Sequence, residues 1–119
     1  EWQAAAGGTD RRIFPWGNDA AGEQLCWQKN SKAPDGTCPV GSFPQGASPY
    51  GALDMAGNVE EWTSTVESES TPVSFYIKGG SFLVDNMEPE ASNESINERS
   101  SSGWSRYDPA TGVRCAKDL

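Results

Sequence analysis

Apolar and polar positions along this chain keep to neither the helical nor the strand period for long. No segment carries a sustained i, i+3, i+4, i+7 stripe, which argues against a helical bundle. Residues 73–84 (Val-Ser-Phe-Tyr-Ile-Lys-Gly-Gly-Ser-Phe-Leu-Val) give the clearest strand signal, with a glycine bulge or kink at Gly79-Gly80. Residues 39–44 predict a brief strand and residues 112–116 a closing one. Residues 1–6 have the composition of a helix's last turns, stopped by Gly7-Gly8. Residues 11–17 read as a short extended piece ending in an aromatic turn, and residues 18–37 as loop. The polar, acidic, serine-rich residues 63–72 predict a mobile surface loop, and residues 85–99 a polar stretch with a short helix around 90–97.

Residues 49–62 break the pattern most. They are too rich in glycine for a helix and too irregular for an alternating strand. Tyr50, Leu53, Met55, Val59 and Trp62 are nonetheless interleaved there with Asp54, Asn58 and Glu61. Apolar residues this dense predict an ordered, partly buried loop. Buried loop backbone has no ladder of its own and needs hydrogen-bond or ion partners. A hard cation such as calcium, held by carboxylates and inward-turned carbonyls, could supply them. The alternative is a turn with ordinary surface acids.

Composition adds the scale. The chain has 119 residues, 35% of them apolar, with five Trp, four Phe and three Tyr against thirteen Gly and eight Pro. That is room for one loop-rich domain organised around large aromatic side chains. Trp16, Trp62 and Trp104 are expected in its core. The net charge of −8 is concentrated between Asp54 and Glu98, where Lys78 is the single base. This disfavours nucleic acid and anionic membrane as partners. No apolar run is long enough to cross a membrane. The chain opens Glu1-Trp2-Gln3 without an initiator Met, so an upstream segment is expected to be missing.

Histidine is absent and cysteine occurs at Cys26, Cys38 and Cys115. Without histidine, the commonest zinc ligand and the usual base of a nucleophile are lost. Cys26 and Cys38 bracket a Lys/Ser/Pro/Asp/Gly-rich stretch with little else to hold it. A disulfide there would stabilise by about 3 kcal/mol in the chain-entropy model and implies an extracytoplasmic location. Cys115 reads as a small buried hydrophobe, or as a thiol whose partner lies upstream.

Taken in order, Glu1-Trp2 with Ala5-Ala6-Gly7-Gly8, Phe14-Pro15-Trp16-Gly17, Pro39-Val40-Gly41-Ser42-Phe43-Pro44, the block 50–62, Lys78-Gly79-Gly80-Ser81-Phe82 and Gly112-Val113-Arg114 resemble the formylglycine-generating-enzyme (sulfatase-modifying factor) domain family. The resemblance runs along nearly the whole chain. It implies an α+β fold related to C-type lectins, with little regular secondary structure, of which this chain is the C-terminal part.

The resemblance also implies where chemistry would sit. The family's oxidases carry two copper-binding cysteines after the Gly-Gly-Ser block; here those positions are Val84 and Pro89. Neither can offer a thiolate, so no catalytic residue is expected. Glu60 replaces an aromatic that lines the oxidases' substrate cleft. Another branch of the family holds iron on histidines, which this chain lacks. One structural calcium site does carry over, on Asp54, the carbonyls of Gly57 and Val59, and Glu61; Asn58 would then bond nearby backbone. The family's other calcium site falls on Leu25, Cys26, Lys32 and Pro34, where Leu25 and Lys32 cannot coordinate. Arg114 is expected to pair with a buried acid.

Three functional classes follow. One is a non-catalytic, calcium-stabilised recognition module whose loops 60–72 and 85–108 form a variable surface, with Glu60, Ser81, Trp104 and Arg106 as candidate ligand contacts and a protein, peptide or glycan as ligand. Another is a fragment of a maturation-type oxidase with its working residues elsewhere. The last is a structural subunit, docked on the missing N-terminal segment or within a larger assembly.

Overall fold

A computed structural model describes residues 1–10, 12–30, 36–69, 73–85, 100–102 and 109–117. Among the described residues the elements are one short helix, α1 (Trp2–Gly7), a 3₁₀ turn (Pro44–Gly46), and four strands: β1 (Glu60–Ser68), β2 (Ser74–Lys78), β3 (Ser100–Ser102) and β4 (Thr111–Gly112). The strands form one sheet in the order β3-β2-β1-β4. β1 runs antiparallel to β2 and parallel to β4, and β2 antiparallel to β3. The fold is α+β with most of the chain in loops, as the glycine and proline content predicts.

Several boundaries differ from the sequence reading. Residues 63–72 were expected to be loop, but β1 continues to Ser68. Thr63, Thr65 and Val66 are β-branched and suit a pleated surface. Their polarity reflects exposure: Ser64, Thr65 and Val66 face solvent. The Thr63 hydroxyl also donates to the Tyr76 carbonyl across the sheet at 2.9 Å. The expected strand at 39–44 is instead a turn, with Ser42 N–H bonded to the Pro39 carbonyl at 3.1 Å. Two prolines there lack ladder donors and Gly41 has a φ of 77°, so the segment cannot pair. β2 stops at Lys78 because Gly79 and Gly80 take φ of 97° and 62°, which bends the chain out of the sheet. β4 begins at Thr111 and ends at Gly112, shorter than the expected closing strand. The helix expected around 90–97 lies outside the described residues.

The core comes in two parts. Leu25, Trp27 and Ala56 pack with Trp16, Ala21 and Val84. Ala6 and Met55 pack with Trp2, Ala5 and Ala52. Trp16 stacks on the fully buried Phe14 with ring centres 4.8 Å apart. Trp62 is half-buried and meets Phe75 edge-on at 6.5 Å; Trp104 lies outside the described residues. Met55 and Ala56 are consecutive, so the loop 54–61 contributes one side chain to each cluster.

That loop is fastened to the rest by backbone bonds. Gly57 N–H donates to the Gly79 carbonyl at 2.7 Å, Asn58 N–H to Cys26 at 2.8 Å, and Phe82 N–H to the Asn58 carbonyl at 2.9 Å. Cys26 and Cys38 form the expected disulfide. Asn58 grips both half-cystines, since its side-chain oxygen accepts Cys38 N–H at 3.0 Å. Gly57 has a φ of 73°, and a Cβ there would lie 2.4 Å from the Cys26 carbonyl oxygen. Only glycine fits so close a crossing. Cys115, expected to be buried, is an exposed free thiol, because the chain leaves the sheet after Gly112.

A thiol titration without reductant is expected to find one reactive group per chain. Reduction, or Cys26→Ser with Cys38→Ser, should destabilise the fold by about 3 kcal/mol in thermal or urea unfolding. Gly57→Ala should cost more than about 2 kcal/mol, through both backbone strain and collision.

Candidate functional site

The charged centre of the molecule is Glu61. Its residue position in β1 is the one flanked on both sides, by Lys78 of β2 and Gly112 of β4. The residue is 5% exposed, and a carboxylate so placed needs strong partners. It has them. Trp2 Nε1–H of α1 donates to Oε2 at 2.7 Å. Arg114 donates through Nε to both oxygens at 3.0 Å and through Nη2 to Oε1 at 2.8 Å. The same Nη2 reaches the carbonyls of Leu53 at 2.9 Å and Asp54 at 3.3 Å. The bond to Glu61 raises the Arg114 pKa above its ordinary value, against the opposing effect of burial. The expectation that Arg114 pairs with a buried acid holds.

Among the expected calcium ligands, both Glu61 oxygens are engaged by Arg114 and Trp2, and Asp54 supplies the other carboxylate. Its Oδ2 accepts Gly41 N–H at 2.7 Å, and it stands in left-handed backbone at φ 54°, as do Gly57 and Asn58 at 73° and 65°. The described residues contain no group of three or more His, Cys, Asp and Glu side chains fit to hold a metal. A cation bound here would rest on Asp54 and on backbone carbonyls, a donor set that suits calcium.

The other expected positions scatter. Val84 packs in the Leu25 cluster and its N–H donates to the Ser81 carbonyl at 3.2 Å. Ser81, expected on the ligand surface, is 5% exposed, and its hydroxyl accepts Leu83 N–H at 3.4 Å within its own turn. Glu60 is half-buried on β1. Pro89, Trp104, Arg106, Lys32 and Pro34 lie outside the described residues.

What the sequence reading missed is a cleft of about 640 Å³ between α1, β1 and the segment after β4. Trp2, Met55, Trp62 and Tyr76 give it apolar and aromatic walls, and Thr63, Ser64 and Thr65 line its β1 side. Lys78, Arg114 and Lys117 bring positive charge, against Glu1 as the acid on its wall. Lys78 is 6% exposed, with its ammonium 5.7 Å from the centre of the Trp2 ring. A signal for this site was present: Lys78 is the lone base of the acidic half, set in an apolar strand where a surface lysine would not be expected.

A model of the sulfatase-modifying factor enzyme 1-like domain matches residues 1–119. A formylglycine-generating enzyme of Thermomonospora curvata is 32% identical over 147 aligned residues, covering 99% of this chain and 47% of the enzyme. Among solved structures, Treponema denticola variable protein 1 has a TM-score of 0.71 at 24% identity, covering 95% of this chain and 43% of its own. CarF has a TM-score of 0.62 at 21% identity, with the same two coverages. These two likenesses concern the fold. The chain spans about half the length of the curated relative it matches.

Removing the guanidinium should expose the weight carried by Glu61. Arg114→Met is expected to destabilise by about 2–3 kcal/mol, below the ~3–5 of a fully buried pair because Arg114 is partly solvated. Arg114→Lys should recover part of the loss, since an ammonium replaces the charge but not the fork. Urea unfolding of the variants provides the measurement.

Proposed function

Because the chain belongs to the sulfatase-modifying factor (formylglycine-generating) enzyme domain family, we propose that it works as a non-catalytic binding or structural module built on that scaffold. The observation that carries this reading is Val84. It stands where the family resemblance expects the first copper-binding cysteine, and its side chain packs against Leu25, Trp27 and Ala56. An isopropyl group in an apolar cluster supplies neither the soft ligand nor the redox sulfur that such an oxidation needs. Pro89 at the second position is no better suited, and Cys115 is separated from both by more than twenty-five residues of sequence.

The frame of such a module is held by the Cys26–Cys38 bridge, the Glu61–Arg114 pair and a structural calcium ion. The ion would take the Asp54 carboxylate with the carbonyls of Gly57 and Val59. It would neutralise an acid that sits in strained backbone beside an acidic stretch of chain. The disulfide supports an extracytoplasmic setting, where such bonds persist. The scaffold would then present its loops to a protein, peptide or glycan. One observation favours a second reading. The chain takes in 47% of the Thermomonospora curvata enzyme, so it could be the C-terminal part of a domain whose working residues belong to the remainder.

Copper(I) loading of the full-length gene product, followed by desalting, separates the two readings. The module retains no stoichiometric copper and leaves a cysteine in a substrate peptide unchanged; retention and formylglycine formation would overturn the proposal. Excess chelator should lower the melting temperature by about 5 °C or more, as expected when a bound ion is withdrawn. Asp54→Ala should abolish that sensitivity and Glu61→Gln should keep it. A melting curve indifferent to both calcium and chelator would remove the ion from the scheme.

A further inference from the structure

The cleft beside α1 lies over one face of the sheet. Tyr76 and Lys78, two apart on β2, share a face, and both line the cleft. On β1, residues 63–65 stand opposite the single residue Tyr76, between the pairs Trp62↔Ile77 and Val66↔Phe75. A bulge of this kind re-aims strand residues and is common beside binding sites. Thr63, Ser64 and Thr65 accordingly all reach the cleft wall.

The charges on that wall are already engaged or balanced. Arg114 is held by Glu61 and by the carbonyls of Leu53 and Asp54. Lys78 is buried, with its ammonium beside the Trp2 ring. Glu1 and Lys117 are exposed and opposite in sign. The wall therefore offers an occupant no net charge.

What it does offer is rings and hydroxyls. Trp2, Trp62 and Tyr76 are each half-buried and line the cleft. The Ser64 and Thr65 side chains are exposed, and among the described residues neither hydroxyl has a partner. A purely apolar occupant would desolvate these hydroxyls without replacing their bonds to water. A pyranose ring with largely equatorial hydroxyls meets both needs, since it carries C–H groups on its faces and hydroxyls around its rim. β-Linked chains stay flat, so successive rings can lie along an aromatic wall. The volume of about 640 Å³ falls within the ~300–1,000 Å³ of small-ligand sites. Resting on the binding-module reading, and giving it a ligand class, we infer that the cleft binds a neutral, β-linked oligosaccharide. The sugar faces pack on the aromatic rings and the sugar hydroxyls bond to Ser64 and Thr65. Burial of the faces supplies affinity, and the hydroxyl bonds select orientation.

The test titrates the full-length gene product, ¹⁵N-labelled at tryptophan, with cellotriose, chitotriose, mannotriose and galactotriose, all β-linked. At least one is expected to bind saturably, with a dissociation constant of about 1 mM or below and shifts of the Trp2 and Trp62 indole signals. Affinity should be the same at ~20 mM and ~500 mM NaCl, because no charge is used. It should also persist in excess chelator, at a temperature where the fold stays intact. A glucuronate trimer should bind no more tightly than the best neutral sugar. Trp62→Ala should weaken binding at least about tenfold. Ser64→Ala with Thr65→Ala, exposed substitutions that should leave the melting temperature unchanged, should weaken it roughly fivefold. Absence of saturable binding by all four sugars, tighter binding of the uronate, or a loss of more than about tenfold in salt would overturn the assignment. So would loss in chelator with the fold intact, which would put recognition on an ion, or full affinity in the Ser64/Thr65 variant. None of these outcomes touches the copper result, which judges the module reading separately.

Discussion

A buried carboxylate bound to a guanidinium organises this molecule. Glu61 meets Arg114 across 53 positions of sequence and Trp2 across 59. One ion pair and one indole N–H thus join the first helix, the middle strand and the chain's last segment. Because Glu61 sits where β1 is flanked by both β2 and β4, its charge can be compensated only if three strands, α1 and the segment after β4 are all in place. A buried acid without its partner is costly, so the pair makes assembly of these elements cooperative. Arg114 extends the same requirement to the loop before β1, through the carbonyls of Leu53 and Asp54.

Seen this way, the central loop is satisfied largely from within. Its polar atoms find backbone partners at Gly41, Cys26, Cys38, Gly79 and Phe82. That explains how an acid-rich, glycine-broken segment can be ordered in a chain with so little regular structure. It also sets the two acids apart: Glu61 is held by a guanidinium, while Asp54 accepts the Gly41 N–H. Where the family resemblance expects a thiol, the chain carries an apolar packing group at Val84.

Much of this was legible beforehand. The aromatic and glycine content announced a loop-rich domain and the family resemblance its α+β class, the poorly held stretch between Cys26 and Cys38 announced the bridge, and the block 50–62 announced the ordered loop. Arg114 was legible as the partner of a buried acid because an unpaired guanidinium has no inexpensive alternative. What escaped had physical causes. The strand nature of 63–68 was hidden because an exposed, bulged strand has the same composition as a surface loop. That Arg114 and Trp2 would be the partners of Glu61 could not be read from residue type, which does not reveal which groups a carboxylate will meet. The cleft was invisible because α1, β1 and the tail that line it are separated by dozens of residues. Only Lys78, out of place among acids and strand apolars, gave a local hint.

The adjacency of Met55 and Ala56 has a further consequence. Because neighbouring residues enter two different apolar clusters, the peptide unit between them works as a rivet through both halves of the molecule. A single inserted or deleted residue at that point would rotate one of the two side chains out of its seat whatever its identity. Length at this spot is therefore fixed more tightly than composition. Drift in chain length must be absorbed elsewhere, for example in the turn that carries the exposed Val40.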